Sequence, residues 1–296
     1  AEAAELWPLV EWCLEYCRRQ LTPDGVVASD TDELEGRFPT GDANLCTSTL
    51  YYDALLSAVS LGRELGVESA QTARYAAQAR ALARAIDAYF GGEVGGYDTY
   101  RYYAGNTLLR SWICMPLIVG LKERSEGTVR ALLGPELMTD DGLLTQQGSS
   151  TFWDRSTLYA LRGIYNVGQA DRATELLHRY SQRRLLGDHV PYPIEAWPEG
   201  SQRHLSAESG LYCRIITEGL FGIRPTGLRS FDLTPSMPAA WESMSLRHIR
   251  AFGSDFDITV ARVADGRLRI TVARPGAKPK IYRAAPGATI RVKLTD

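Results

Sequence analysis

The apolar period of this chain changes once, and that change divides the molecule. Through about residue 222 apolar residues recur at steps of three and four, the spacing of a helix with one buried face; beyond residue 243 they alternate, the spacing of a strand. In the first part the pattern predicts helices over 3–20, 46–65, 68–90, 107–122, 126–134, 151–168, 170–185 and 205–221. Glycines after the last periodic residue mark the ends: Gly66, Gly91-Gly92, Gly187 and Gly222, each suited to a left-handed C-cap. Thr47 or Ser48, Asn106, and Ser150 or Thr151 mark starts, and Asp42 reads as a further helix cap. The helices fall into pairs, and loop-bearing helices alternate with loop-poor ones every roughly 40 to 60 residues, although no repeat is visible letter by letter. The expected architecture is therefore mainly α, a toroid of helical hairpins over 1–223 with its working loops on one rim. A small antiparallel β-sandwich-like domain over 224–296 follows, with 224–243 as a proline-bearing linker and "SLRHIRAF", "DFDITVARV", "RLRITVA", "KIYRA" and "TIRVKL" as strands. Asp265-Gly266 between two such runs is a strong two-residue hairpin signal.

Composition narrows what such a chain can meet. With 33 basic and 35 acidic residues among 296, the charges nearly cancel, so neither nucleic acid nor an anionic membrane surface is an expected partner. No apolar run has the ~18 to 20 residues of a membrane span, and no signal peptide is visible, which leaves a cytoplasmic or an exported location equally open. The chain opens in mid-helix, as if something preceded it. Cys13, Cys17, Cys46, Cys114 and Cys213 lie in apolar helical patterns without a Cys-x-x-Cys pair and are expected to be reduced core residues. The histidines at 178, 189, 204 and 248 do not share metal-ligand spacing, and glycine-rich phosphate loops, nucleophile elbows and dinucleotide fingerprints are all missing, so the reading includes no metal and no cofactor.

Four loops carry the chemistry. "SDTDELEGR" crowds Asp30, Asp32, Glu33 and Glu35 ahead of a helix, and like charges so close favour a protonated carboxyl, the state a general acid needs. "PYPIEAWPEGSQRHLSAESG" again feeds a helix and interleaves Glu195 and Glu199 with Tyr192, Trp197, Arg203 and His204, the mixture of acids and rings on which sugars stack. "LLTQQGSSTFWDRSTLYALRG" sets Trp153, Asp154 and Arg155 at a helix start, where Asp154 and Arg155 can also pair locally. "GGYDTYRYYAGN" offers Tyr97, Tyr100, Tyr102 and Tyr103 as a wall, with Asp98 and Arg101 among them. Arg37, Arg101, Arg155 and Arg203 lie in or beside these loops. Their guanidinium forks could hold a uronic acid or could simply pair with Asp32, Glu35, Asp98 and Asp154.

Three stretches resemble the six-hairpin glycosidases, the (α/α)6-barrel enzymes that include glucoamylases, α-L-rhamnosidases, and the trehalase and maltose phosphorylase group. "TDELEGRFPTGDANLCTSTLYYDALLSAVSLGRELG" is similar to the phosphorylase-group segment in which an Asp-Glu dipeptide precedes an Asn-containing helix start; the resemblance puts the general acid on Glu33, with Glu35 as alternative and Asn44 at the helix entrance. "PIEAWPEGSQRHLSAESGLYCRIITEGLFGIRPTG" is similar to the rhamnosidase segment that carries the base, here Glu195 with Glu199 as alternative. "FDLTPSMPAAWESMSLRHIRAFGSDFDITVAR" is similar to the β-domain these enzymes share. The resemblance implies a carbohydrate substrate bound among Asp32, Arg37, Asn44, Tyr100, Trp153, Asp154, Trp197, Arg203 and His204.

The implied reaction is hydrolysis with inversion, Glu33 protonating the glycosidic oxygen while Glu195 deprotonates a water on the opposite face of the ring. Inversion needs carboxyl groups about 6.5 to 9.5 Å apart, retention about 5 to 5.5 Å. If Arg203, His204 and Ser206 converge instead, the nucleophile would be phosphate and the protein a disaccharide phosphorylase; a barrel that only binds carbohydrate is the third reading. The rhamnosidase acid motif has no counterpart here, and a full barrel has twelve helices where this pattern yields about eight. The open end is therefore expected to be covered by a preceding segment or by another copy in a homo-oligomer.

Overall fold

The computed structural model describes residues 2–32, 38–151, 153–186, 192–195 and 206–294. Its helices follow the apolar period closely: α1 Glu2–Arg19, α2 Leu45–Leu65, α3 Ser69–Phe90, a 3-10 turn Ser111–Cys114 running into α4 Met115–Val119, α5 Ser125–Leu132, α6 Asp154–Asn166, α7 Ala170–Arg184, and α8 Ser206–Arg214 continued by a π turn Ile215–Leu220. Eight α-helices among the described residues, followed by antiparallel sheets, realise the expected fold class.

The even-numbered helices form an inner row. α2 packs on α4, α4 on α6, and α6 on α8 and the π turn, while α3 backs α2 and α7 backs α6. Burial follows this order. All five residues of α4 are buried, and Leu45, Leu55, Trp112, Ile113, Leu117, Leu161, Ile164 and Ile215 are shut from solvent. α1 buries only Trp7 and Leu14; Leu6, Leu9, Trp12 and Tyr16 face out.

Several ends differ from the expected ones. α2 starts at Leu45 because Asn44 caps it, its side chain accepting the Thr47 N–H at 2.8 Å, so neither Thr47, Ser48 nor Asp42 is the cap. Gly66 takes the left-handed C-cap at φ 74°. Gly91 stays at φ −65° and opens a hairpin, β1 Gly91–Val94 with β2 Tyr97–Tyr100, turned by Gly95 and Gly96 at positive φ. The helix expected over 107–122 is confined to 111–119: Asn106 accepts the Tyr102 N–H instead of capping, and the ensuing chain pairs with Gln146. A two-residue ladder, β3 Met138–Thr139 with β4 Gly142–Leu143, precedes the loop to α6. Cys46 and Cys114 are buried as expected, whereas Cys13 and Cys213 are exposed.

In the second part β7 Ser243–Ala251, β8 Ser254–Arg262, β9 Leu268–Ala273 and β10 Lys280–Ala284 form a meander, with Gly266 at φ 79° in the β8–β9 turn. β11 Ile290–Lys293 joins β6 Ser230–Leu233 and β5 Ile223–Gly227 in a second sheet, so the stretch expected as linker supplies two strands. Phe231 of β6 stacks on Phe256 of β8 with ring centroids 5.5 Å apart, which places the two sheets face to face. The sandwich is fastened to the helices by Arg224–Asp53 (2.5 Å), by Ser236 Oγ donating to the Tyr165 carbonyl (3.0 Å) and by the Ala239 N–H donating to Asp171 (2.8 Å).

Candidate active site

The loop before α2 is gripped at both ends. Upstream, the Tyr102 hydroxyl donates to Asp32 Oδ2 at 2.6 Å, Asn44 Nδ2 donates to the Thr31 carbonyl at 3.0 Å and Thr40 Oγ1 to the Asp30 carbonyl at 2.9 Å. Burial, then the nearby Cys46 and Asp32, push the Tyr102 hydroxyl far above its ordinary pKa, so it stays a donor at any physiological pH. Downstream, the wholly buried Arg110 donates from Nη2 to the Pro39 carbonyl at 2.7 Å and lies over the Phe38 and Tyr102 rings at 5.1 and 4.8 Å. Burial lowers the pKa of this guanidinium while Tyr102 and Asp32 oppose the fall; an arginine remains charged regardless. Gly41 is indispensable to this path: it sits at φ 67°, and a Cβ there would stand 2.7 Å from the Tyr103 Cβ. Glu33, Glu35 and Arg37 lie outside the described residues, between these two grips.

The loop before α8 is tied down by α6. Asp154, first residue of that helix and 1% exposed, accepts the Ile194 N–H on Oδ2 at 2.7 Å and pairs through Oδ1 with the equally buried Arg184 at 3.2 Å. Desolvation raises the Asp154 pKa against the lowering influence of Arg184 and the Ile194 N–H. Glu195, next along the chain, is half-buried. Arg155 reaches the buried Glu208 of α8 at 2.8 Å and covers the Trp153 ring at 5.6 Å. Glu199, Trp197, Arg203 and His204 lie outside the described residues.

Arg110 joins the two anchors. While Nη2 holds Pro39, Nε donates to Gln146 Oε1 at 2.9 Å, and Gln146 belongs to the loop that enters α6, where Asp154 holds Ile194. Arg110 thus ties the downstream stem of the Glu33 loop to the loop that enters α6, and the first residue of α6 in turn holds Ile194 beside Glu195. Arg110 escaped the sequence reading because it lies in an apolar run, "LLRSWICMPL", assigned to a helix; a lone arginine enclosed by large apolar residues is the signal of a buried structural cation.

Other residues singled out in the sequence have structural duties here. Asn44 is buried and spends its side chain on the α2 cap and on Thr31. Tyr100 and Tyr102 are 1% and 0% exposed, so these two form core and buttress rather than an open sugar-facing wall, whereas Tyr97 and Tyr103 are half-buried; burial also raises the Tyr100 hydroxyl pKa. Trp153 is 3% exposed beneath Arg155, covered rather than offered as a stacking surface. Asp154 and Arg155 turn to separate partners, Arg184 and Glu208, because the first turn of α6 points them at different neighbours. Arg101 donates to the Gly91 carbonyl, and Asp98 pairs with Arg124.

No family model and no curated protein sequence matches the chain. Solved structures do. A GH78 family rhamnosidase of Bacillus sp. GL1 superposes with a TM-score of 0.57 at 15% identity, over 95% of this chain and 30% of that one. An α-L-rhamnosidase from Dictyoglumus thermophilum gives 0.52 at 13% identity, over 91% and 31%. A neutral trehalase from Saccharomyces cerevisiae gives 0.49 at 16% identity, over 64% of this chain and 40% of that one. With these two rhamnosidases the chain shares its fold, helical hairpins followed by antiparallel β-sheets. This chain spans under a third of the length of the rhamnosidases it resembles.

Proposed function

We propose that the chain carries the working rim of a glycoside hydrolase, with residues 1–223 as the catalytic part, 224–296 as its β-domain, and a carbohydrate as substrate. In this reading Glu33 is the general acid and Glu195 the general base, and hydrolysis proceeds with inversion: the acid protonates the departing glycosidic oxygen as a water deprotonated by Glu195 attacks the anomeric carbon from the other face. Asp32, fixed by Tyr102, flanks the acid and helps hold it. The observation that supports this reading most is that Arg110 bonds both Pro39, downstream of Glu33, and Gln146 in the loop entering α6, whose first residue Asp154 holds Ile194 beside Glu195. The rhamnosidase likeness supplies the reaction class for the proposal, and α-L-rhamnosides are accordingly the first substrates to offer.

The test compares wild type, Glu33→Gln and Glu195→Gln on aryl α-L-rhamnosides, other aryl glycosides and oligosaccharides, with and without phosphate, following the anomeric proton of the first product by NMR. Loss of turnover by at least about 10³-fold in both variants, with binding retained and an inverted first product, is the expected result. Sugar binding without turnover in wild type would make the chain a carbohydrate-binding barrel, and a glycosyl phosphate product would make it a phosphorylase.

A further inference from the structure

A cleft of about 1200 Å³ opens where the C-terminal ends of α4 and α6 meet the π turn and β5, away from the helix entrances that hold the carboxylate loops. Its walls combine apolar surface from Ala54, Leu61, Pro225 and Met237 with charged groups in a lopsided ratio. Arg162 donates to Glu218 Oε2 at 2.8 Å, and Arg214 grips both oxygens of the same carboxylate at 2.6 and 2.9 Å. Arg224 pairs one-to-one with Asp53. Lys122 and Arg262 also line the space, Arg262 spending its donors on the Met237, Pro238 and Trp241 carbonyls. Five cations therefore face two carboxylates, an excess of three positive charges.

Helix C-termini attract cations, which could account for such an excess. Here the terminal carbonyls are already met. Asn166 Nδ2 takes Ile118 O at 3.0 Å, the Gly120 N–H takes Leu117 O, the Gln169 N–H takes Ile164 O, and Ser236 Oγ with the Gly168 N–H takes Tyr165 O. The guanidinium pair on Glu218 is left with one charge uncompensated, and Arg162 Nε, buried in a residue 6% exposed, has no acceptor among the described residues. Glu218 is presented by a π turn, a rare conformation frequently found at functional sites. Gly219 brings that turn against Tyr165, where a Cβ would sit 3.2 Å from the ring.

We propose that this cleft is a binding site for a small oxyanion-bearing molecule, a carboxylate or phosphate group on a body of sugar size, seated against Arg214 and Arg162 and separate from the catalytic rim. A planar guanidinium accepts either oxyanion through two parallel hydrogen bonds, and two such groups already converging on one carboxylate are pre-set for a second anion. The apolar walls and the volume suit the body that carries it.

Calorimetric titration and thermal shift of the full chain, at fixed ionic strength, with inorganic phosphate, glucose 6-phosphate, glucuronate and, as neutral control, glucose provide the test. Saturable binding of at least one anion and none of glucose is expected. Arg214→Gln, a half-exposed position whose change leaves the core intact, should weaken that binding at least about tenfold. Glu218→Gln, by removing the competing carboxylate, should tighten it. Binding of glucuronate alone identifies a carboxylate ligand, and binding of phosphate and glucose 6-phosphate a phosphorylated one. The proposal is overturned if no anion binds, if glucose binds equally well, or if Arg214→Gln binds as tightly as wild type. None of these outcomes depends on turnover at the rim.

Discussion

Replacing Arg184 by methionine isolates the electrostatics under the Glu195 loop. Arg184 and Asp154 are each 1% exposed, so the substitution leaves a carboxylate in the interior facing an apolar side chain of similar length. Breaking a buried pair in this way costs about 3–5 kcal/mol, and at about 2 °C per kcal/mol for a chain of this size the melting point should fall by about 6–10 °C at pH 7. The pH dependence carries the sharper test. Desolvation already raises the Asp154 pKa in the folded protein, and loss of Arg184 raises it further. An acid that binds its proton more tightly folded than unfolded favours the fold when protonated; its penalty is full above the folded pKa and is relieved as pH falls through that value toward the unfolded one. The deficit of Arg184→Met should therefore narrow between pH 7 and pH 5, while Arg184→Met/Asp154→Asn, which keeps an oxygen for the Ile194 N–H, should recover most of the loss at both. Melting curves of wild type and these two variants at the two pH values decide it. A deficit under about 1 kcal/mol at pH 7, or one of equal size at pH 5, would refute the reasoning.

If Glu195 is the base as proposed, Asp154→Ala, which removes the acceptor for Ile194, should lower kcat by about 10²-fold with little change in KM, since small displacements of a catalytic group are that expensive; steady-state kinetics on whichever glycoside wild type turns over check it. Tyr102→Phe deletes the 2.6 Å bond to Asp32 and should cost about 1 kcal/mol in thermal stability, with a fall in kcat that Tyr102→Ala deepens. Phe231→Ala empties the space between the two sheets and should lose about 3–5 kcal/mol by chemical denaturation. Glu15 is pulled down to about 2 by hydrogen bonds from Arg18 and Arg19, so its contribution is present above the ordinary glutamate pKa and fades as pH falls through about 2; NMR titration should find that value, and Arg18→Gln should move it back up.

Legibility in the sequence followed how each segment is stabilised. α2, α3, α6 and α7 bury one face over several turns, so their period alone places them within a few residues. The run 107–122 is apolar on every side, because α4 is wholly enclosed, and a pattern without a polar face cannot say where a helix starts. β1 and β2 are four residues each and rich in glycine and polar side chains, and β5 carries a proline, so their pairing depends on partners the local pattern does not contain. At the candidate site the acidic loops stood out because like charges gather there. The residues that fix their stems, Arg110, Gln146 and Arg184, come from other parts of the chain and carry no local mark of that duty.

The fastening of the sandwich to the helices has a practical corollary for anyone dissecting the gene. β5 begins three residues after the π turn ends, and Arg224, Ser236 and Ala239 each reach a different helix, α2, the end of α6 and α7. Stopping translation at residue 223 would strip Asp53 of its cation, take the Ser236 hydroxyl from the Tyr165 carbonyl and open the wall of the cleft in a single cut. The shortened product should be recovered insoluble, and supplying residues 224–296 as a separate polypeptide should rescue it.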